Sequence, residues 1–404
     1  MFPYDLAVVA ILKCEAPYLK EWLDYHLLAG VEHFYLYDND STDNQAEVAA
    51  PYVEAGLIDY IHAPGNAMQL IVYNDAVKRF KFQCRYMAFI DGDEFILPKS
   101  NRSIVEVVDE ILSRDSLAAG LAINWQIYGS NGQETADYSR GVLERFTRRA
   151  AKDWSGNKQV KTIANPRAID FVGIPHYAIY FEPLTAVNEN DAVVPAEFNE
   201  PVTAEKIVVN HYHCKSWEEY AQKSRRGYAC ANTEINQYTR EKFNNLDRND
   251  EFDNGILYYR AVRAENFSIE SRDDRLARVI ETLIKILPTV DNMETALTCR
   301  ALATFLRSQF PAADYWKICE QASIEAILKS LSGATQSEAQ LFIRDLPNLL
   351  SFPYPAVKFI RNAARDFLAQ FMNVFGARYW WKHYVEFDYL RDLLKLESDN
   401  FVER

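Results

Sequence analysis

Short unbroken apolar runs alternate with longer stretches of helical spacing through the first part of the chain. Residues 5–14 are apolar enough for a buried strand, and Glu15, Ala16 and Pro17 end it. From Tyr18 to Ala29 apolar residues fall at 19, 22, 23, 27 and 28, one face of a helix, and Gly30 follows as its stop. Strands then read at 33–37, 57–61 and 86–91, with helices at 43–54 and 67–82 between them. Strands joined by helices in this order predict a parallel sheet with right-handed crossovers. The run from Tyr86 to Ile90 is apolar throughout, which suits a strand covered on both faces.

Beyond Pro98 the alternation loosens. The spacing predicts a helix over 103–113 and a strand over 118–128, followed by a flexible polar turn at 129–132. Residues 133–165 are polar and basic and read as loop-rich, and strand-like runs return at 168–173, 177–182 and 206–212. From Ser216 onward the pattern is helical, near 216–231, 272–287, 291–308, 312–330, 336–350, 355–373 and 376–396. The polar stretch 244–250 precedes a change of pattern, so we expect an α/β domain over 1–260 and an all-α region over 261–404. Leu276, Val279, Ile280, Leu283, Ile286 and Leu287 form an apolar helix face that must bury against a neighbouring helix, the first domain or a second subunit. Residues 375–384 combine Tyr379, Trp380 and Trp381 with Arg378, Lys382 and His383; such a segment suits a membrane surface, but aromatic core packing is the stronger expectation.

Composition narrows the classes. A formal net charge of −13 argues against a nucleic-acid partner, which needs clustered Lys and Arg. No apolar run approaches the ~20 residues of a membrane span, so we expect a cytoplasmic protein, at most peripheral on the cytosolic face of a membrane. Six cysteines at 14, 84, 214, 230, 299 and 319 include no Cys-x-x-Cys pair, so they read as reduced thiols. There is no P-loop motif, and no Gly-x-Gly-x-x-Gly follows the first strand.

Candidate chemistry collects at the carboxyl ends of the predicted strands, where open α/β sheets place their ligands. Lys13 and Glu15 follow the first strand, and Asp38, Asp40 and Asp43 the second; Asp38 suits a ribose hydroxyl or a base N–H, and equally a helix cap. Asp91, Asp93 and Glu94 crowd the end of the fourth strand, which is unfavourable unless something positive sits among them. In extended backbone Asp91 and Asp93 would point to one side, with Gly92 letting backbone or ligand come close. Mn²⁺ or Mg²⁺ would take such oxygens and share them with phosphates. Asn124, Trp125 and Gln126 end the fifth strand. His211 and His213 share a face at strand spacing, and either suits a metal. Lys215, Lys223, Arg225 and Arg226 on the next helix suit a diphosphate leaving group. Lys158, Lys161 and Arg167 cluster around residues 154–157, which read as a mobile cover of the site; His176 faces the same cleft or packs.

Residues 8–43, the motif Ile90-Asp91-Gly92-Asp93-Glu94-Phe95, and Asn210-His211-Tyr212 with Lys215, Ser216, Glu219, Lys223, Arg226 and Gly227 resemble glycosyltransferase family 92 and family 2-like proteins. The resemblance covers roughly the first 230 residues, with three motifs in order. It implies a type-A glycosyltransferase fold, with a Rossmann-like and mostly parallel sheet, and a nucleotide-sugar donor, UDP-linked by expectation. By that match Asp38 would hold the nucleoside, Asp91 and Asp93 the cation and diphosphate, and His211 would be a metal ligand. Inversion at the anomeric centre is implied as well. An inverting transfer needs a carboxylate to take the proton of the acceptor hydroxyl, and Glu134, Asp137 and Glu144, after the fifth strand, are the candidates. The acceptor would be a saccharide or glycolipid, in polysaccharide or glycoconjugate synthesis. The rival expectation is a non-catalytic carbohydrate- or partner-binding protein that keeps the fold.

Overall fold

The computed structural model describes residues 2–226, 239–265 and 267. Tyr4–Arg272 form one compact unit. The chain opens with β1 (Tyr4–Leu12), α1 (Ala16–Leu28), β2 (His33–Asp38), α2 (Gln45–Glu54), β3 (Ile58–His62), α3 (Gln69–Phe80) and β4 (Cys84–Phe89), the alternation the pattern predicts. It continues through β5 (Glu94–Pro98), α4 (Ile104–Leu112), β6 (Ala118–Ile127), the single turn α5 (Val142–Arg145) and β7 (Arg148–Arg149). Then come β8 (Val160–Ala164), β9 (Ile169–Ile174), β10 (Tyr177–Tyr180), β11 (Thr185–Val187), β12 (Val193–Val194) and β13 (Ile207–His211). The helices α6 (Trp217–Arg226) and α7 (Arg240–Leu246), the short β14 (Glu251–Phe252) and the helix α8 (Gly255–Ala264) end the described elements.

The main sheet runs β12-β11-β6-β8-β4-β1-β2-β3. β1 is parallel to both β2 and β4, and β2 is parallel to β3. Here is the mixed α/β architecture with a mostly parallel sheet that the resemblance implies. β8 enters antiparallel between β4 and β6, a core strand within the 133–165 stretch that reads as loop-rich. Its five residues are all buried, Lys161 among them, and that charged residue within it disguises a core strand. β13 pairs antiparallel with β5 and parallel with the end of β6, so His211 stands opposite Glu94 and beside Ile127.

Period-two alternation in β1 distributes its side chains between two cores. Leu6, Val8, Ala10 and Leu12 join Trp22 and Leu23 of α1 and Val108 of α4 on one face. Ala7 and Val9 join Val72, Tyr73 and Ala76 of α3 on the other. Hydrogen bonds then lock α1 to β5: Trp22 Nε1 donates to the Glu94 carbonyl at 2.8 Å and the Tyr25 hydroxyl to the Ile96 carbonyl at 2.8 Å.

The polar stretch 244–250 is tied back to the turn at 129–132: Asp247 accepts from the Ser130 N–H and hydroxyl, and Asn249 from the Asn131 N–H. No helix among the described residues is long and apolar enough to cross a membrane. The helices expected from 272 onward and the aromatic segment 375–384 lie outside the described residues.

Candidate active site

The carboxyl ends of β1, β4, β6 and β13 open onto a cleft of about 440 Å³, lined among others by Lys13, Glu15, Asn39, Asp91, Asp93, Trp125, His176, His211, His213 and Lys223. Asp91 to Glu94 form a closed turn at its floor. The Glu94 N–H donates to the Asp91 carbonyl at 3.1 Å, and the Glu94 carboxylate accepts from the Asp91 N–H at 2.9 Å. Gly92 lies close to its neighbours there: a Cβ would stand 2.7 Å from Leu12 Cδ2 and 3.6 Å from Glu15 Cγ, so the Leu12 side chain would have to shift.

The turn also sends the two aspartates to different partners, where extended backbone would have pointed them to one side. Asp91 Oδ1 accepts from Gln69 Nε2 at 2.7 Å and from the Tyr73 hydroxyl at 3.3 Å, and its Oδ2 accepts from Lys161 Nζ at 2.8 Å. Asp93 Oδ2 accepts from Lys223 Nζ at 2.6 Å, and His211 Nε2 stands 3.4 Å from Asp93 Oδ1. A third pair, Lys215 with Glu15, is 3.7 Å apart. The crowded carboxylates are thus met by lysines carried on β8 and on the α6 side of the cleft.

Burial disfavours the charged form of Asp91, Asp93 and Glu94, and their cationic neighbours oppose it. At Asp91 burial is outweighed by Lys161, and at Asp93 by Lys223 and His211, so both titrate below the ordinary carboxylate range. Glu94 is fully buried, and burial pushes it up to about 7 although Lys161 lies 3.3 Å away. Burial, reinforced by Lys223, holds His213 well below the ordinary imidazole value. A neutral ring is what a metal ligand must be.

Asp93, His211 and His213 each offer one donor atom, and these lie within 4.8 Å of one another. His211 Nδ1 is buried with no hydrogen-bond partner. One carboxylate oxygen and two imidazole nitrogens fit a borderline divalent cation such as Mn²⁺. The converging group holds His213 beside Asp93 and His211, while Asp91, expected as a ligand with them, accepts from Lys161, Gln69 and Tyr73.

The sequence matches the model of glycosyltransferase family 92 over residues 13–253. The chain belongs to glycosyltransferase family 92. It is 24% identical over 230 residues to a family 92 protein of Ricinus communis, covering 56% of this chain and 38% of that one. It is 31% identical over 105 residues to a galactan β-1,4-galactosyltransferase of Arabidopsis thaliana, 22% of this chain and 19% of that one. The chain therefore spans well under half the length of these relatives. Among solved structures it is similar to S. aureus TarS 1–349, at 14% identity and a TM-score of 0.31 over 90% of this chain and 88% of that one.

The remaining expected residues of this family 92 chain fall as follows. Lys13 and Glu15 line the cleft. Asp38 does not line it; its Oδ1 accepts from the Ser41 N–H at 3.3 Å and from Gln45 Nε2 at 3.1 Å, while its neighbour Asn39 reaches the wall. Lys215 is buried above the Tyr18 ring, 3.8 Å from its centroid. Arg167 is structural, donating to the carbonyls of Lys81 and Cys84. The segment at 154–157 is anchored rather than a loose cover: Asn157 is fully buried, accepts from the Ile127 N–H and donates to the Ala151 carbonyl.

Glu134, Asp137 and Glu144 are not brought to the cleft. Glu134 forms a two-point pair with Arg240, Asp137 accepts from Ser139, and Glu144 pairs with Arg260. Their segment is drawn towards α6 and α1 instead: the Trp217 N–H donates to the Gln133 carbonyl, and the Val142 N–H to Glu21.

Gln69 and Tyr73 escaped the sequence reading. Their signal was an amide and a phenol four residues apart on the buried face of α3, where a plain core helix carries apolar groups.

Proposed function

We propose that this chain is a metal-dependent glycosyltransferase that moves a sugar from a UDP-linked donor to a saccharide or glycolipid hydroxyl, with inversion, in polysaccharide or glycoconjugate synthesis. One observation carries the reading: Asp93, His211 and His213 converge beside Lys223 in a cleft at the carboxyl ends of parallel strands. The family and the galactosyltransferase relative support the class of reaction.

Asp93, His211 and His213 would hold Mn²⁺ or Mg²⁺. When bound, the cation would neutralise charge developing on the departing nucleoside diphosphate. Asp91, kept anionic by Lys161 and oriented by Gln69 and Tyr73, presents a fixed acceptor to hydroxyls of the donor. Lys13 and Asn39 extend the wall towards β2, where the nucleoside would lie. A carboxylate must still take the acceptor's proton, and the carboxylates in the described wall are Glu15, Asp91 and Asp93.

The test is a thermal-shift panel of nucleotide sugars with Mn²⁺ and with EDTA. A UDP-sugar should raise the melting temperature in Mn²⁺ and much less in EDTA. No shift with any nucleotide sugar would leave a protein that keeps the fold without the donor site.

A further inference from the structure

One carboxylate, Asp93, is shared between a lysine and a cluster of imidazoles. Lys223 Nζ donates to Asp93 Oδ2 at 2.6 Å and to the His213 carbonyl at 2.8 Å. The same Asp93 belongs to the group with His211 and His213. Lys161 and Lys215 are differently placed. Lys161 is sunk among Asp91, Glu94 and the Pro175 carbonyl, and Lys215 is packed on Tyr18, each with about 1% of its side chain exposed. Of the three, Lys223 alone is among the described residues lining the cleft.

The backbone that carries Lys223 is held firmly. Ser216 and Glu219 cap α6 reciprocally, and Glu219 makes a two-point pair with Arg145, both side chains about 1% exposed. Lys223 follows one turn later. Its side chain, 8% exposed, is a flexible four-carbon stem with a compact ammonium at the tip.

Resting on the donor-site reading above, we propose that Lys223 is an exchangeable counter-ion. It neutralises Asp93 until a divalent cation takes that carboxylate, and then turns to the diphosphate of the nucleotide. Cation and diphosphate would then favour each other's binding through one side chain, a reciprocal coupling. The residue would serve as a positioning and binding group for the diphosphate, and the cleft would stay electrically balanced at each stage.

The experiment uses the full chain in four forms: wild type, Lys223→Gln, Lys223→Arg and Asp93→Asn. Mn²⁺ binding without nucleotide is read from the electron paramagnetic resonance of free Mn²⁺, and UDP binding in EDTA from calorimetry. Lys223→Gln should bind Mn²⁺ roughly tenfold tighter than wild type, because a neighbouring positive charge is gone. Lys223→Arg should stay near wild type. Asp93→Asn should bind UDP in EDTA several-fold tighter than wild type, because its lysine is no longer held by a carboxylate. A folded Lys223→Gln that binds Mn²⁺ no tighter than wild type would overturn the exchange. Should that variant fail to fold, Asp93→Asn decides alone, and no gain in metal-free UDP affinity overturns it. If wild type binds UDP but no Mn²⁺, the metal reading falls together with the exchange; equal Mn²⁺ binding in wild type and Lys223→Gln removes only the exchange.

Discussion

Gly92 shows how one missing side chain shapes the cleft. Its Cα lies so close to Leu12 and Glu15 that a methyl group would drive into Leu12 Cδ2 at 2.7 Å. Gly92→Ala should therefore cost about 1–3 kcal/mol of stability and shift the Asp91–Asp93 turn. Urea unfolding and UDP titration in Mn²⁺ measure the two effects, and both should appear. At this scale the strand-end rule pointed to Lys13, Glu15, Asp91 and Asp93, because parallel strands end where ligands bind, and the His-x-His spacing with the family motif pointed to His211. The partners of those residues were not legible in the same way. Lys161 lies within a strand disguised as loop, and Gln69 and Tyr73 come from a helix that reads as plain core.

At the scale of elements, two joints hold the site together. The first is α6 against the α5 turn, through Arg145 and Glu219, with the Tyr18 hydroxyl donating to Glu219 at 2.9 Å. Arg145→Met would leave a buried carboxylate unpaired and should destabilise by about 3–5 kcal/mol. The double variant Arg145→Met, Glu219→Leu should recover part of that loss in urea unfolding. The second joint is α1 against β5, where buried His26 holds the Trp22 carbonyl with Nδ1 at 2.8 Å and the Ile96 N–H with Nε2 at 3.4 Å. Burial pushes this imidazole down to about 3 in the folded protein, against about 6.5 unfolded. The folded state thus binds fewer protons, and stability is complete above pH 6.5 and lost as pH falls from there towards 3. His26 alone should remove about 2 kcal/mol by pH 5. A urea midpoint that falls between pH 7 and 5 in wild type, and falls less in His26→Gln, is the expected result. The elements themselves were read with uneven success for a physical reason. β1 from Leu6 to Leu12 and β2 from Phe34 to Tyr37 are apolar runs buried almost throughout, whereas β11 and β12 are two or three residues long and carry too little pattern.

At the scale of the whole molecule, sequence order misleads where the chain turns away from the sheet. Glu134, Asp137 and Glu144 follow β6, yet their segment runs along α6 and α1, and each carboxylate pairs outside the cleft. Glu134→Gln, Asp137→Asn and Glu144→Gln should each keep kcat/KM within about twofold of wild type, the range of ordinary surface substitutions. A large loss in any one would return that residue to the reaction. The amphipathic helices expected after 272 lie outside the described residues, and we propose for them a role in acceptor delivery or assembly. The central claim is that Asp93, with His211 and His213, makes donor chemistry depend on a divalent cation. Its most direct measurement is the release of UDP from the UDP-sugar selected by the thermal-shift panel, in Mn²⁺ and in EDTA, for wild type and Asp93→Ala. We expect Mn²⁺ to stimulate release in wild type and to do nothing in an Asp93→Ala protein of unchanged circular dichroism. Mn²⁺-stimulated release that survives in Asp93→Ala would contradict the account.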